Sequence, residues 1–551
     1  MRSPPRSTWL ALAMLVGCGG SAEVEGVELT HGFGEGMADC LVRDDDGDDI
    51  TSRCTYVTLV DARDVDVLFV IDDGPEAGAL QARLADAMDD FATAIAALDP
   101  RPRLRIAFTS SRGPAPMCAG EGGAGRLLLS SCAERPDAFV DVSGADRFAE
   151  LCTDRCPLAE LPTLATPLDS GGPARPRPWL EIEGDTTNLA VDAPIADALR
   201  CASLLGVAGC PFPAPASATE YSFLRADQDG DQPEVGVFRT EATPIIVWVT
   251  SGVECSLGAA GPDAFDPAGS RALWTDPDAA TPGLCWNAGV ACTAPEASGE
   301  MSCTPRDVDA DGMDVSPEQA VLQPTDEITD FLRDLADWRA FYIPGRDLRL
   351  VAITGIPAET GDPTIAFAPA DEATAAYYGV QPSCMLDGDA LVPPVRHAVL
   401  GGDSNTNDAI ATELVSACTD DFRPALARVA DAIASSLRPM CLPICAADID
   451  PDAPGLQADC SLQADMPAAD GNGVERFALP RCDTSSGLAT IPPGERACFT
   501  TRSDDALHRE CSDAGYNLEF EVQWAGRKPA GTYFLPHCDP STDKASDCPE
   551  L

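Results

Sequence analysis

The chain reads as an α/β protein built on a doubly wound, mostly parallel sheet, with disulfide-rich insertions and a small β-rich disulfide module at its C-terminal end. Three observations predict this. Residues 65–72 (VDVLFVID), 243–250 (TPIIVWVT) and 348–357 (LRLVAITGIP) are near-continuous apolar runs of strand length, as in strands covered on both faces. Amphipathic helical stretches separate them, and strands alternating with helices imply parallel pairing through crossovers. The 23 cysteines fall largely in Pro- and Gly-rich segments between these elements and after residue 440, where long loops need covalent staples.

Residues 1–18 have the layout of an export signal. Arg2 and Arg6 precede an apolar run, Trp9 to Val16, that is too short to cross a bilayer as a helix. It ends in Leu15-Val16-Gly17-Cys18, which resembles the lipobox of bacterial lipoprotein precursors. The resemblance implies a palmitate-bearing lipid anchor on Cys18. Gly19-Gly20-Ser21 follows without an Asp, which implies sorting to the outer membrane, at its periplasmic face or the cell surface. Residues 19–63 read as a tether and small segment, with Cys40 and Cys54 closing a loop around Asp44-Asp45-Asp46-Gly47-Asp48-Asp49.

The run 65–72 is the first strand. Residues 79–98 form a helix with Leu80, Leu84, Met88, Phe91, Ile95 and Leu98 at helical spacing, and 103–110 (RLRIAFTS) is the next strand, a β-α-β unit. Helices follow at 192–206, at 325–339 with Thr325 as N-cap, and at 419–438 with Phe422, Leu426, Val429, Ile433 and Leu437 on one stripe. The α/β domain spans 64–440, with insertions at 111–190 and 252–320. From 441 to 551, eight cysteines and short strands such as 516–523 mark the separate module.

Setting Cys18 aside leaves 22 of the 23 cysteines, an even number that complete pairing would use. Such a set persists in an oxidising, exterior compartment. Zinc at Cys152-x-x-x-Cys156 or Cys441-x-x-x-Cys445 is the weaker reading, because the chain has four His and no paired CxxC motifs. A net charge of −52 excludes nucleic acid and bare anionic membranes as partners, since both require a positive field. His31, His397, His508 and His537 lie far apart, and no G-x-S-x-G, H-E-x-x-H or P-loop occurs. The chain is therefore expected to be non-enzymatic.

VDVLFVIDDGPEAG, residues 65–78, resembles the first strand and loop of von Willebrand factor A domains. The phrases Leu204-Leu205-Gly206-Val207-Ala208-Gly209-Cys210, Val249-Thr250-Ser251-Gly252-Val253-Glu254-Cys255-Ser256 and Cys418-Thr419-Asp420-Asp421-Phe422 are similar to cysteine-rich A-domain lipoproteins of the myxobacterial type. The family's Asp-x-Ser-x-Ser motif, with a later Thr and Asp, holds a divalent cation. The resemblance puts Asp72 at the first position, Gly74 and Glu76 in place of the serines, and Val207 and Ser251 near the expected Thr and Asp. It implies a degenerate metal-ion-dependent adhesion site. Protein or glycan recognition would fall on loops 73–78, 207–215 and 251–257.

A second motif stands apart. Asp307, Asp309 and Asp311 alternate, Gly312 follows, and Glu318 comes five residues after Met313. This matches a calcium loop in which the carboxylates and the Met313 carbonyl supply oxygens. Asp314 and Pro317 depart from the usual pattern, and a solvated acidic turn is the alternative. Asp227-Gln228-Asp229-Gly230-Asp231 is a weaker version. Together these expectations describe a lipid-anchored envelope protein that binds protein or glycan. The alternatives are an envelope scaffold without a discrete ligand and a secreted hydrolase with an unrecognised site.

Overall fold

The structure is a computed structural model. It describes residues 58–551 apart from 115–123, 169–170, 185, 228–231, 294–300, 343–347, 358–367, 369, 401–409, 451, 454, 468–473, 486–488, 530, 543–547 and 549–551, and before them strands 23–24, 27–28, 36–43 and 49–56. Cys18 lies outside the described residues, and of Cys40 and Cys54, whose loop closure was expected, only the strand backbone is described. The chain divides into two compact units: residues 63–168 with 172–437, and residues 1–62 with 169–171 and 438–551.

The larger unit is built on a seven-stranded sheet. Its strands are β1 (Asp64–Ile71), β2 (Arg103–Ser110), β3 (Leu180–Glu183), β4 (Thr186–Thr187), β5 (Thr243–Val249), β6 (Leu348–Pro357) and β7 (Ile410–Cys418). They run in the order β4-β3-β2-β1-β5-β6-β7. The pairs from β2 to β7 are parallel, and β3 and β4 add an antiparallel edge. β1 and β5 are central neighbours, in register from Val65 opposite Thr243 to Ile71 opposite Val249.

The apolar runs produce this sheet because their alternate side chains find separate cores. Val65, Val67, Phe69 and Ile71 pack on one face with Leu80 and Leu84 of α1 (Gly78–Asp86), Phe91 and Ile95 of α2 (Met88–Ala96), Leu199 of α3 (Ile195–Ser203) and Leu426 and Val429 of α6 (Arg423–Ser436). Leu68 and Val70 pack on the other face with Trp248, with Phe223 of α4 (Pro215–Ala226) and with Leu332 of α5 (Thr325–Tyr342). Phe69 stacks on Phe108 at 5.3 Å and meets Phe91 edge-on at 6.1 Å. Each such fully buried side chain contributes roughly 1.5–3 kcal/mol.

The polar start of β1 is also buried. Asp64 is paired with Arg103 at 2.8 Å, and Arg239 pairs with both Asp64 and Asp66. Arg239 also donates to the carbonyls of Val65 and Arg103, fixing the opening of both strands.

The structure corrects several elements. The stretch 79–98 is two helices parted at Ala87, whose N–H is shared between the Arg83 and Leu84 carbonyls. Thr325 is the first helical residue rather than the cap, because Ile328 N–H donates to the Pro324 carbonyl. Residues 180–183, expected inside the first insertion, join the sheet beside β2. α4 and β7 were not expected at all.

The insertions carry their own staples. Cys132–Cys152 closes the first, and Cys156–Cys201 ties it to α3. Cys255–Cys285 and Cys292–Cys303 brace the second, around a core that includes Phe212, Phe265, Leu284 and Trp286. Cys384–Cys418 anchors the hairpin 384–391 to the end of β7.

The smaller unit is β-rich. β8 (Met440–Cys441), β12 (Leu518–Trp524) and β11 (Ala497–Ser503) form one three-stranded sheet, and β10 (Val474–Leu479), β9 (Cys460–Pro467) and β13 (Tyr533–Cys538) form another. Leu442, Leu462, Phe499, Phe520 and Phe534 share its core. Cys441–Cys511, Cys445–Cys548, Cys460–Cys538 and Cys482–Cys498 staple it, making nine disulfides among the described residues. No helix among the described residues is long and apolar enough to cross a membrane.

Candidate functional site

In a doubly wound sheet, the chain leaves neighbouring strands to opposite sides at one point. The crevice outside the strand C-termini there is the natural site. Here that point lies between β1 and β5, since the strand following β1 pairs on its other edge. Asp72 leaves β1 and Ser251 leaves β5 at this rim.

Asp72 is 2% exposed. One carboxylate oxygen accepts from Gly74 N–H at 2.9 Å. The other accepts from Ser251 N–H at 3.2 Å and from the Ser251 hydroxyl. Burial pushes the Asp72 carboxyl up, against these hydrogen bonds, which pull it down. The buried Gln81 side chain braces the loop from behind. It donates to the carbonyls of Asp72 at 2.7 Å and Gly206 at 2.6 Å, and accepts from Gly206 N–H at 2.9 Å.

Asp72, Gly74, Glu76 and Ser251 line one narrow cleft. Pro75, Pro211, Pro213 and Pro282 form much of its wall, with Tyr378, Ala390 and Val392 contributed by distant segments. Glu76 accepts from Ala390 N–H at 3.2 Å, and Tyr378 lines the same cleft. Burial, with the Glu76 carboxylate beside it, raises the Tyr378 hydroxyl above its ordinary value. Val207 does not reach the cleft; it is buried with Phe139, Leu151 and Leu204, and its N–H donates to the Ala138 carbonyl.

Asp73 points elsewhere. It pairs with Arg112 at 3.0 Å, while its other oxygen is buried without a hydrogen-bond partner. Burial raises its carboxyl to about 6, against the Arg112 guanidinium. Behind the rim, Asp389 accepts from Ala79 N–H at the start of α1 and lies 3.5 Å from Arg147.

These residues do not fit the divalent cation that the family resemblance implies. Both Asp72 oxygens are already engaged by N–H and O–H donors. Position 74 cannot regain a serine without movement, because a Cβ there would stand 2.8 Å from the Cys210 carbonyl. Among the described residues, the only group of three or more candidate ligand atoms is Cys132, Cys152 and Cys156, and each of these is in a disulfide.

The loop 307–318 forms a tight hairpin. Val308 pairs with Asp314, Asp309 N–H donates to the Met313 carbonyl, and Gly312 takes φ +76°. One Asp309 oxygen accepts from Asp311 N–H and Met313 N–H, each at 3.0 Å. Val315 N–H donates to the Asp307 carbonyl, and Glu318 lies in the short helical turn Pro317–Gln319. Asp309 and Met313 thus serve the turn directly. Of the weaker acidic motif, residues 228–231 lie outside the described ones.

The described histidines form no catalytic pair with a free thiol. His397 is buried against Trp248 and neither of its nitrogens has a hydrogen-bond partner; burial lowers it to about 3. His508 contacts Glu519 near Cys511, but Cys511 is bonded to Cys441. Sequence reasoning missed Tyr378, Asp389 and Ala390 at the rim. They arrive from segments some 300 residues beyond Glu76, as the separation of 314 between Glu76 and Ala390 shows, and no local pattern announces them.

No family model matches the chain, and no curated protein matches it. Among solved structures it is similar to the pilus adhesin SpaC from Lactobacillus rhamnosus GG in two crystal forms, one of them an open conformation, at 9% identity and TM-scores of 0.26 and 0.27. The matches cover 89% of this chain and 41% and 42% of those chains, so it spans less than half their length. At such TM-scores the overlap carries no argument about fold or function.

Proposed function

We propose that this chain is an exported, Cys18-lipidated outer-membrane protein of the cell envelope. In this reading its larger unit is a von Willebrand factor A-like domain that binds protein or glycan at the rim between β1 and β5, without catalysis. The observation that carries the reading is the contact between Asp72 and Ser251 across the two central strands. It stands where the family resemblance puts a cation, and hydrogen bonds hold the loops in the cation's place. The nine described disulfides support an oxidising exterior setting.

Recognition at such a rim is independent of divalent ions. The test is binding of the mature protein to protein and glycan arrays, with and without chelator, beside a Tyr378→Ala variant. Binding that survives chelator and is lost in Tyr378→Ala supports the reading. Binding abolished by chelator contradicts it. For the loop 307–318, calcium through Asp307, Asp309, Asp311, Met313 and Glu318 would serve the insertion and not the rim.

A further inference from the structure

The rim cleft has a chemistry of its own. Its walls are aliphatic, formed largely by Pro75, Pro211, Pro213 and Pro282. Its charged lining is acidic, with Asp72 at its base and Glu76 half-buried in its side, and no Lys or Arg lines it. The neighbouring guanidinium groups are engaged elsewhere, Arg112 with Asp73 and Arg147 with Asp389 and Glu150. Tyr378 lines the cleft together with Glu76.

The cleft encloses only about 20 Å³, room for a small positive head beside the carboxylate and the aromatic ring, with an apolar stem lying across the prolines at its mouth. The stem packs on proline rings while the head meets Glu76 and the Tyr378 ring. A carboxylate-bearing ligand would instead meet uncompensated negative charge. A neutral sugar would leave the acidic lining without a counter-charge.

We propose that this cleft takes a lysine or arginine side chain presented by a partner protein. The polarity of recognition is then the reverse of a site in which a bound cation receives a partner's carboxylate. This rests on the reading of the rim as a binding face and names the partner's chemistry.

The test uses the full mature chain and three capped tripeptides, Ac-Gly-Lys-Gly-NH2, Ac-Gly-Arg-Gly-NH2 and the norleucine analogue, which keeps the stem and lacks the charge. Titration is followed by ligand-detected NMR at low and high salt. The basic peptides are expected to saturate, to bind at least tenfold more tightly than the norleucine peptide and to weaken with salt. Glu76→Gln keeps an oxygen to accept from Ala390 N–H and is expected to weaken them about tenfold. Equal binding of norleucine and lysine peptides overturns the charge assignment while leaving the rim a binding face. No saturable binding of any of the three overturns the cleft as the place of recognition. Because the norleucine and salt comparisons are made on the unaltered chain, they decide the matter even if Glu76→Gln fails to fold.

Discussion

Two buried titratable side chains give the larger unit opposite responses to acid. Burial pushes the Asp73 carboxyl up to about 6 in the folded chain, against an ordinary value of 3.8. Between those values the native state binds more protons than the unfolded one, so stability falls as pH rises through that window. Asp73→Asn removes this dependence. On lowering the pH from 7 to 4, the wild type is expected to gain up to about 3 kcal/mol relative to the variant, read from denaturant unfolding at each pH. His397 acts the other way. Its folded value of about 3 lies below its free value of 6.5, so the unfolded state takes the proton first and stability is lost as pH falls from 6.5 toward 3. His397→Leu is expected to flatten that loss, by several kcal/mol at most. Variants with unchanged pH profiles would show that these side chains are not held as described.

At the level of elements, the central strands were legible because their sequences leave few alternatives. β1 and β5 are apolar at almost every position, and only burial on both faces accommodates that. β7 was not legible, since its middle positions, Thr412 and Glu413 among them, are only partly buried at a sheet edge and break the apolar run. α4 escaped for a related reason. Its buried turn of Pro215, Ala216, Ser217, Ala218 and Thr219 presents small and polar groups in place of a hydrophobic stripe. The site was legible to the same extent. Asp72, Gly74, Glu76 and Ser251 could be read from the loops following β1 and β5. Val207 faced a core instead, because the Ala138 carbonyl captures its N–H. The hairpin at 307–318 also belongs to this scale. The Asp309 carboxylate accepts two backbone N–H groups, so Asp309→Ala is expected to cost about 1 kcal/mol in calcium-free buffer. A cost that appears only when calcium is present would assign the carboxylate to a cation.

At the scale of the whole molecule, an acidic, disulfide-stapled chain carries a rim at which both Asp72 carboxylate oxygens accept hydrogen bonds from the chain itself. The charge of −52 keeps positive ligands near the surface in general, and the charged lining of the cleft between β1 and β5, Asp72 and Glu76, has the same sign. The disulfides hold the insertions against the sheet, as Cys156–Cys201 does for α3, so that loops distant in sequence meet at one place. The central claim is that hydrogen bonds from Ser251 and Gly74 fill the coordination of Asp72. The most direct measurement is a manganese titration of the folded mature chain and of Asp72→Asn, with free ion read by electron paramagnetic resonance. The account predicts the same bound manganese in both; an ion held by the wild type and released in Asp72→Asn would contradict it.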